Sequence, residues 1–252
     1  MNSRSGFRRV AARAILALAG AAPMASAAEA AAIKIYSPKI EQGEIEVEYQ
    51  GYRTVDSDSA KDNEQVHKIG LGYSITDWWA VEVKGSWKRD PGGSTDFDAT
   101  EFETRFEFVE EGEAFAALGL LVEYELADRR GVNADELKFG PLIGKEIGNT
   151  TATANLIFER QIGPHRASGV GFTYRLRERW HFHPHFEPGI EAFGNLGPID
   201  NFNSPNRQEH MIGPVAHGKI GEFSYDIGYL FGATSATADG TLKAILEYEI
   251  EF

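Results

Sequence analysis

The chain has 252 residues, with 25 Lys and Arg against 38 Asp and Glu, a formal net charge of −13 and no cysteine. The absence of cysteine excludes a disulfide framework, a zinc–thiolate site and a cysteine nucleophile. The negative charge argues against nucleic acid as a partner, because nucleic-acid-binding proteins present a basic face that displaces phosphate counterions.

Residues 1–27 have the features of a secretory signal peptide. Arginines at positions 4, 8, 9 and 13 precede a short apolar stretch over residues 14–22, and Ala25-Ser26-Ala27 forms a small-residue cleavage site. The apolar stretch is too short to span a membrane as a helix. We therefore expect export and a mature chain that begins near Ala28.

The mature chain alternates apolar and polar residues with a period of two, which is typical of strands with two different faces. The clearest example places Ile45, Val47 and Tyr49 opposite a row of glutamates. Twelve strands are predicted in chain order, at residues 44–50, 65–75, 79–88, 101–109, 115–126, 136–147, 152–162, 170–179, 181–192, 209–220, 223–233 and 241–252.

The connections between these strands alternate between short turns and long polar loops. The long ones span residues 55–64, 89–98, 127–135, 163–168, 194–207 and 234–240. Most strands also have about the 9–11 residues that a tilted strand needs to cross a bilayer. The pattern predicts an all-β fold, a transmembrane antiparallel up-and-down β-barrel of twelve strands over residues 43–252, with residues 28–42 as a periplasmic lead-in. A soluble barrel or sandwich would alternate in the same way and is the alternative.

Two further features favour lipid outside the barrel. Tryptophans such as Trp78 and Trp180 lie near strand ends, as an interfacial girdle requires. The chain ends on Phe252, preceded at alternate positions by apolar residues, which resembles the C-terminal assembly signal of porin-like bacterial outer-membrane β-barrels. The resemblance implies an outer-membrane location, a lipid environment and recognition of Phe252 by the barrel-assembly machinery. We expect a monomer.

A weaker resemblance, at the level of a family, supports the same location. Residues 36–38 and 41–44, Gly213-Pro214, residues 230–232 and residues 246–249 are similar to segments of a group of uncharacterised proteobacterial outer-membrane proteins. The resemblance implies no substrate and no mechanism.

Glutamates dominate the predicted inner face, and rings of carboxylates concentrate cations. We therefore predict a passive, porin-like channel for small solutes with an acidic, cation-preferring lumen and an unidentified permeant. The pore-lining candidates are Glu101, Glu103, Arg105, Arg175, Arg177, Glu187 and Glu191. The alternatives are a plugged structural or adhesive barrel, whose inner acids pair with bases and whose loops, chiefly residues 195–207, make contacts, or a lipid-modifying barrel enzyme.

Three histidines at alternate positions, His181, His183 and His185, share one face of a predicted strand. Imidazoles bind zinc, copper or nickel, but same-face neighbours are ~7 Å apart and three in a row do not reach one ion unaided. His210 and His217 on a neighbouring strand could supply the remaining ligands. We favour a polar inner wall and predict no metal and no cofactor.

Hydrolase motifs are missing from the sequence. It contains neither G-x-S-x-G nor H-E-x-x-H. His165 and Ser168, in one predicted extracellular loop, are the only candidate pair for a lipid-modifying enzyme. A loop holds catalytic geometry poorly, so we predict that the protein is not an enzyme.

Overall fold

The computed structural model describes residues 33–128, 133–164 and 166–250. The predicted signal peptide and Phe252 lie outside this range. Within it the chain forms twelve strands: β1 (Ile45–Val55), β2 (Gln65–Thr76), β3 (Trp79–Arg89), β4 (Thr95–Val109), β5 (Ala117–Ala127), β6 (Asp135–Ile147), β7 (Thr150–Ile162), β8 (Gly171–Trp180), β9 (Glu187–Pro198), β10 (Glu209–Ile220), β11 (Phe223–Gly232) and β12 (Gly240–Ile250).

The strands form one closed antiparallel barrel. Each strand pairs with its neighbours in the chain, and β12 pairs with β1 continuously from Ile45–Ile250 to Val55–Gly240. Closure leaves no sheet edge with unpaired backbone groups, which is the condition for a β-structure to cross a bilayer. The predicted all-β, twelve-stranded barrel is confirmed.

The barrel has a turn end and a loop end. At the turn end, residues 77–78, 148–149 and 221–222 each join two strands by a two-residue turn, while the loop end carries longer connections such as residues 199–208. In outer-membrane barrels the short turns lie in the periplasm and the long loops face outward. No helix in the described ranges is long and apolar enough to cross a membrane.

The outer wall is apolar and the inner wall is charged, as the period-two pattern predicts. Ile69, Leu71 and Phe231 on the outer wall are 55%, 61% and 54% exposed, whereas Glu101 and Lys84 on the inner wall are each 1% exposed. Burial of charges inside and exposure of apolar side chains outside is the reverse of a soluble protein. It is the arrangement of a barrel surrounded by hydrocarbon.

Aromatic side chains mark both ends of this apolar wall. At the turn end, Trp79 stacks on Trp78 and on Phe106 with ring centroids 6.3 and 6.5 Å apart. At the loop end, Trp87 meets Phe97 edge to face at 5.4 Å. Two aromatic girdles are expected where a barrel crosses the two membrane–water interfaces.

Two Gly-Pro pairs interrupt the ladder without ending a strand. Pairing with β7 is locally lost at Gly140-Pro141 in β6, and pairing with β11 is lost at Gly213-Pro214 in β10, as expected where proline removes a ladder donor. A Cβ at residue 140 would overlap the carbonyl oxygen of Leu156, so this close approach of two strands requires glycine.

The predicted strand at residues 181–192 is wrong at its beginning. β8 ends at Trp180 and β9 begins at Glu187, and residues 181–186 form a turn closed by an isolated bridge between His183 and Phe186. Pro184 in the middle of this stretch has no N–H to donate, which favours the turn. His181, His183 and His185 therefore do not share a strand face.

Candidate functional site

A short N-terminal segment, residues 33–40, runs inside the barrel; we call it the lumenal segment. Ile33, Tyr36 and Ile40 are 1%, 3% and 7% exposed. The segment enters from the turn end, where the Ile40 N–H donates to Glu107 at 2.8 Å. Residues 33–40 of the predicted periplasmic lead-in thus lie in the barrel interior, because their apolar side chains find apolar partners there.

Three apolar clusters on the inner wall receive the segment. Fully burying an aliphatic or aromatic side chain contributes about 1.5–3 kcal/mol, so these contacts stabilise the inserted position. The clusters are Ile33 with Tyr52, Val66 and Ile245; Ile35 with Phe193, Met211, Val215 and Leu230; and Tyr36 with Leu121, Leu142 and Ile157.

Barrel side chains satisfy the backbone of the segment. Asn155 accepts from the Tyr36 N–H at 2.8 Å and donates to the Tyr36 carbonyl at 2.9 Å. Arg175 donates to the Lys34 carbonyl at 3.2 Å, and Lys243 donates to the Ile33 carbonyl at 3.1 Å. Buried peptide groups need such partners, so the inner wall is built to hold a chain rather than only water.

Ion pairs surround the segment. Lys34 lies 3.0 Å from Glu46 and 2.8 Å from Glu247, and it also pairs with Glu48. A buried ammonium is tolerated only where carboxylates compensate its lost hydration. The Lys34 side chain therefore fixes the segment at this height in the barrel.

A second polar junction links the segment to β3 and β4. The Tyr36 hydroxyl donates to Glu103 at 2.7 Å, and Lys84 lies 2.5 Å from the same carboxylate and 3.1 Å from the hydroxyl. All three side chains are nearly inaccessible to solvent.

The rim of the turn end carries a carboxyl group with an altered pKa. Burial, together with the nearby carboxylates of Glu249 and Glu46, raises the pKa of Glu44 to about 7. Glu44 lies just before β1 and lines the opening through which the lumenal segment enters.

All seven predicted pore-lining residues lie on the inner wall. Four of them are buried in internal contacts: Glu101 with Lys68, Glu103 with Lys84, Arg175 with the lumenal segment, and Glu191 with Lys243. The other three, Arg105, Arg177 and Glu187, line a cavity at the turn end. Their role in permeation stays a prediction.

The lumenal segment lies between two cavities. The turn-side cavity has a volume of about 500 Å³ and is lined by Lys34 and Tyr36. The loop-side cavity has a volume of about 180 Å³ and is lined by Arg175 and Phe193. Arg175, which lines the loop-side cavity, donates to the carbonyl of Lys34, which lines the turn-side cavity, so this contact lies between the two spaces.

The three predicted histidines form no metal site in the described ranges. Both ring nitrogens of His181 are engaged, by Glu187 at 2.9 Å and Thr151 at 2.7 Å. His183 and His185 are exposed, with ring centroids 4.9 Å apart. His165, half of the predicted lipid-hydrolysis pair with Ser168, lies outside the described residues.

Sequence comparison identifies no relative: no protein-family model and no curated protein matches the chain. The solved structures with some similarity to the chain include the following three. A chain from a study of the in-meso crystallization of membrane proteins is 12% identical (82% of this chain, 84% of that chain, TM-score 0.47). The outer membrane protein Omp33 of Acinetobacter baumannii is 10% identical (86% and 100%, TM-score 0.43). CdiB from Acinetobacter baumannii is 8% identical (83% and 60%, TM-score 0.39). At these identities and TM-scores, none assigns an activity or a permeant to this chain.

The barrel's own geometry places it in a membrane. It has an even number of antiparallel strands, no open edge, an apolar outer wall with aromatic residues at both ends, and two-residue turns at the end opposite its longest loops. These features together define the bacterial outer-membrane β-barrel. The chain is an outer-membrane β-barrel whose lumen holds part of its own N-terminal region.

Proposed function

We propose that the protein is a passive channel for small hydrophilic solutes, held closed by the lumenal segment. The observation that carries the proposal is the position of residues 33–40 between two cavities that open toward opposite ends of the barrel. Without the segment, the space between the inner walls would connect these cavities. A passive channel also needs no catalytic group, in keeping with our prediction that the protein is not an enzyme.

The segment is attached in a way that permits its release. In the described part of the chain, no backbone–backbone hydrogen bond joins residues 33–40 to a strand, and their peptide groups bond to side chains such as Asn155 and Glu107. Displacement of the segment would leave the ladder of the barrel intact. The polar inner wall could then exchange its contacts with the segment for water.

Selectivity in this proposal is weak. Acidic and basic side chains line the turn-side cavity in nearly equal numbers, and the loop-side cavity contains Lys61 and Arg175 as well as Glu64 and Glu209. Opposite charges that line the same cavity cancel much of the electrostatic field that rings of carboxylates would produce. We propose a slight preference for cations, far from the strong selectivity of an all-acidic lumen.

The test is planar-bilayer conductance of the full barrel and of a variant in which residues 33–40 are replaced by eight Gly and Ser residues. The replacement keeps the chain length and removes every side-chain contact of the segment. We expect rare openings from the unmodified barrel and steady conductance, at least about tenfold greater, from the variant. A variant that folds and stays silent would contradict the channel and favour a closed structural or adhesive barrel.

A further inference from the structure

The inner wall near the turn end holds a cluster of three potential metal ligands, Glu191, His217 and Asp226, which we call the His217 cluster. They come from β9, β10 and β11, and one ligand atom of each lies within 4.8 Å of the others. The three residues are 0%, 5% and 8% exposed. His217 and Asp226 line the turn-side cavity, so an ion could reach them from that end.

The cluster contains polar atoms without hydrogen-bond partners. In the described ranges these are Nε2 of His217, Oε1 of Glu191 and Oδ1 of Asp226, all buried. Buried polar atoms are nearly always bonded, and an exception points to a missing water or ion. Three such exceptions lie in this one cluster, where His217 faces Glu191 through Nε2 at 3.7 Å and Asp226 through Nδ1 at 3.6 Å.

The spacing of these atoms fits a metal better than a hydrogen bond. His217 Nε2 and Glu191 Oε1 are 3.7 Å apart, beyond hydrogen-bond reach. Two ligands of a tetrahedral zinc ion, with bonds of ~2.1 Å, are separated by about 3.4 Å. A small closing movement of either side chain would produce that geometry.

We propose that Glu191, His217 and Asp226 form a binding site for a divalent transition metal of the zinc type. One imidazole and two carboxylates are a donor set for such an ion, whereas Mg²⁺ and Ca²⁺ prefer oxygen ligands alone. Because three protein ligands leave a coordination position for water, the ion would be exchangeable from the turn-side cavity.

Lys243 is the competitor of the metal. Its ammonium lies 2.5 Å from Glu191 and 2.8 Å from Asp226 and neutralises part of their charge. It bonds to Glu191 Oε2 and Asp226 Oδ2, while Glu191 Oε1 and Asp226 Oδ1 have no hydrogen-bond partner in the described ranges. Removal of this positive charge should therefore tighten metal binding, while loss of an ordinary structural ion pair would not.

The experiment is calorimetric titration of the folded, untagged, metal-free barrel in detergent with Zn²⁺. Every protein carries H183Q and H185Q, so that the exposed histidine pair does not contribute. We expect one bound ion per barrel, affinity at least tenfold weaker in H217Q, and affinity at least tenfold tighter in K243Q. The matched control H210Q should bind as its parent does, because both ring nitrogens of His210 already have partners, Tyr174 at 2.9 Å and Gln208 at 3.0 Å.

A spectroscopic measurement needs no further variant. Co²⁺ bound by one nitrogen and two carboxylates should give visible absorption bands that Zn²⁺ abolishes and Mg²⁺ leaves unchanged. The proposal is overturned if Co²⁺ gives no such bands, if Zn²⁺ does not bind, or if H217Q and H210Q weaken binding equally.

Discussion

Asn155 and Tyr36 form a reciprocal pair in which one side-chain amide satisfies both peptide groups of the other residue. The Tyr36 N–H donates to Asn155 Oδ1 at 2.8 Å, and Asn155 Nδ2 donates to the Tyr36 carbonyl at 2.9 Å. Asn155 is 0% exposed and lies on β7, facing inward between Leu142 of β6 and Arg175 of β8. Asn155 thus makes the two hydrogen bonds with the Tyr36 backbone that a neighbouring strand would otherwise make.

Replacing Asn155 by alanine should loosen the lumenal segment. The change leaves a buried N–H and a buried carbonyl of Tyr36 without partners, at a cost of about 1–3 kcal/mol for an unsatisfied group. We expect a lower urea midpoint for the refolded barrel and more frequent openings in bilayers. Asn201→Ala, at an exposed loop position, is the control and should change neither quantity.

Lys84 should be strongly coupled to Glu103. In Lys84→Met the Glu103 carboxylate stays buried with its closest cation removed, which typically costs about 3–5 kcal/mol. The double variant K84M/E103Q should be less destabilised than the sum of the single variants, because it removes both charges. Urea unfolding of the four proteins gives the coupling energy, and additive losses would show that the pair does not interact.

The apolar outer wall gives a prediction that depends on depth in the membrane. Leu71 lies near the middle of β2 and is 61% exposed, while Val55 lies at the loop end of β1 and is 40% exposed. Arginine at a midplane position costs about 2–4 kcal/mol, and near an interface about 0–1 kcal/mol. Unfolding of the barrel from lipid vesicles should show Leu71→Arg far less stable than Val55→Arg. Equal losses would mean that neither position contacts hydrocarbon.

Glu44 should make stability depend on pH. Its pKa in the folded state is about 7, because burial and nearby carboxylates favour the neutral form. Between the ordinary carboxyl pKa and about 7, the folded state binds more protons than the unfolded state, so the unfolding free energy falls as pH rises through that window. The difference in stability between the unmodified protein and Glu44→Gln should therefore decline from pH 5 to pH 8. A difference that is flat or increases would contradict the assigned shift.

The inner-face glycine before Pro141 should not tolerate a methyl group. A Cβ at residue 140 would overlap the Leu156 carbonyl oxygen, while one at Gly72, also on the inner face, would meet atoms only at 3.6 Å. We expect Gly140→Ala to lose folding yield and heat resistance in gel-shift assays, and Gly72→Ala to behave normally. Equal behaviour would show that β6 and β7 do not approach so closely.

The barrel was predictable from the sequence because side chains alternate strictly between lipid and lumen. Tyr248, for example, is exposed on the outer wall, whereas Glu247 pairs with Lys34 inside the barrel, as the pattern requires. The errors are local. Pro184 converts the start of the strand predicted at residues 181–192 into a turn. The three histidines therefore do not share a strand face, which becomes apparent only once the end of β8 and the start of β9 are known.

The lumenal segment was not predicted, although the sequence contains a sign of it. Val66, Leu142, Phe193 and Leu230 lie at inward positions that otherwise carry polar residues, and each packs into a cluster around the segment. Apolar exceptions on a polar inner face need an apolar partner inside the barrel. The His217 cluster was less accessible, because it depends on the register of three adjacent strands, which the sequence pattern does not determine.

A disulfide between the lumenal segment and β6 would hold the segment inside the barrel and so tests whether the segment closes the channel. The ring of Pro38 lies 3.0 Å from the position that a Cβ at Gly144 would take, and the chain has no cysteine of its own. In P38C/G144C we predict that a disulfide forms on oxidation, that oxidation abolishes bilayer openings, and that a reductant restores them. Failure of the disulfide to form in the folded barrel, or conductance that is unchanged by oxidation, would contradict a barrel closed by its own N-terminal segment.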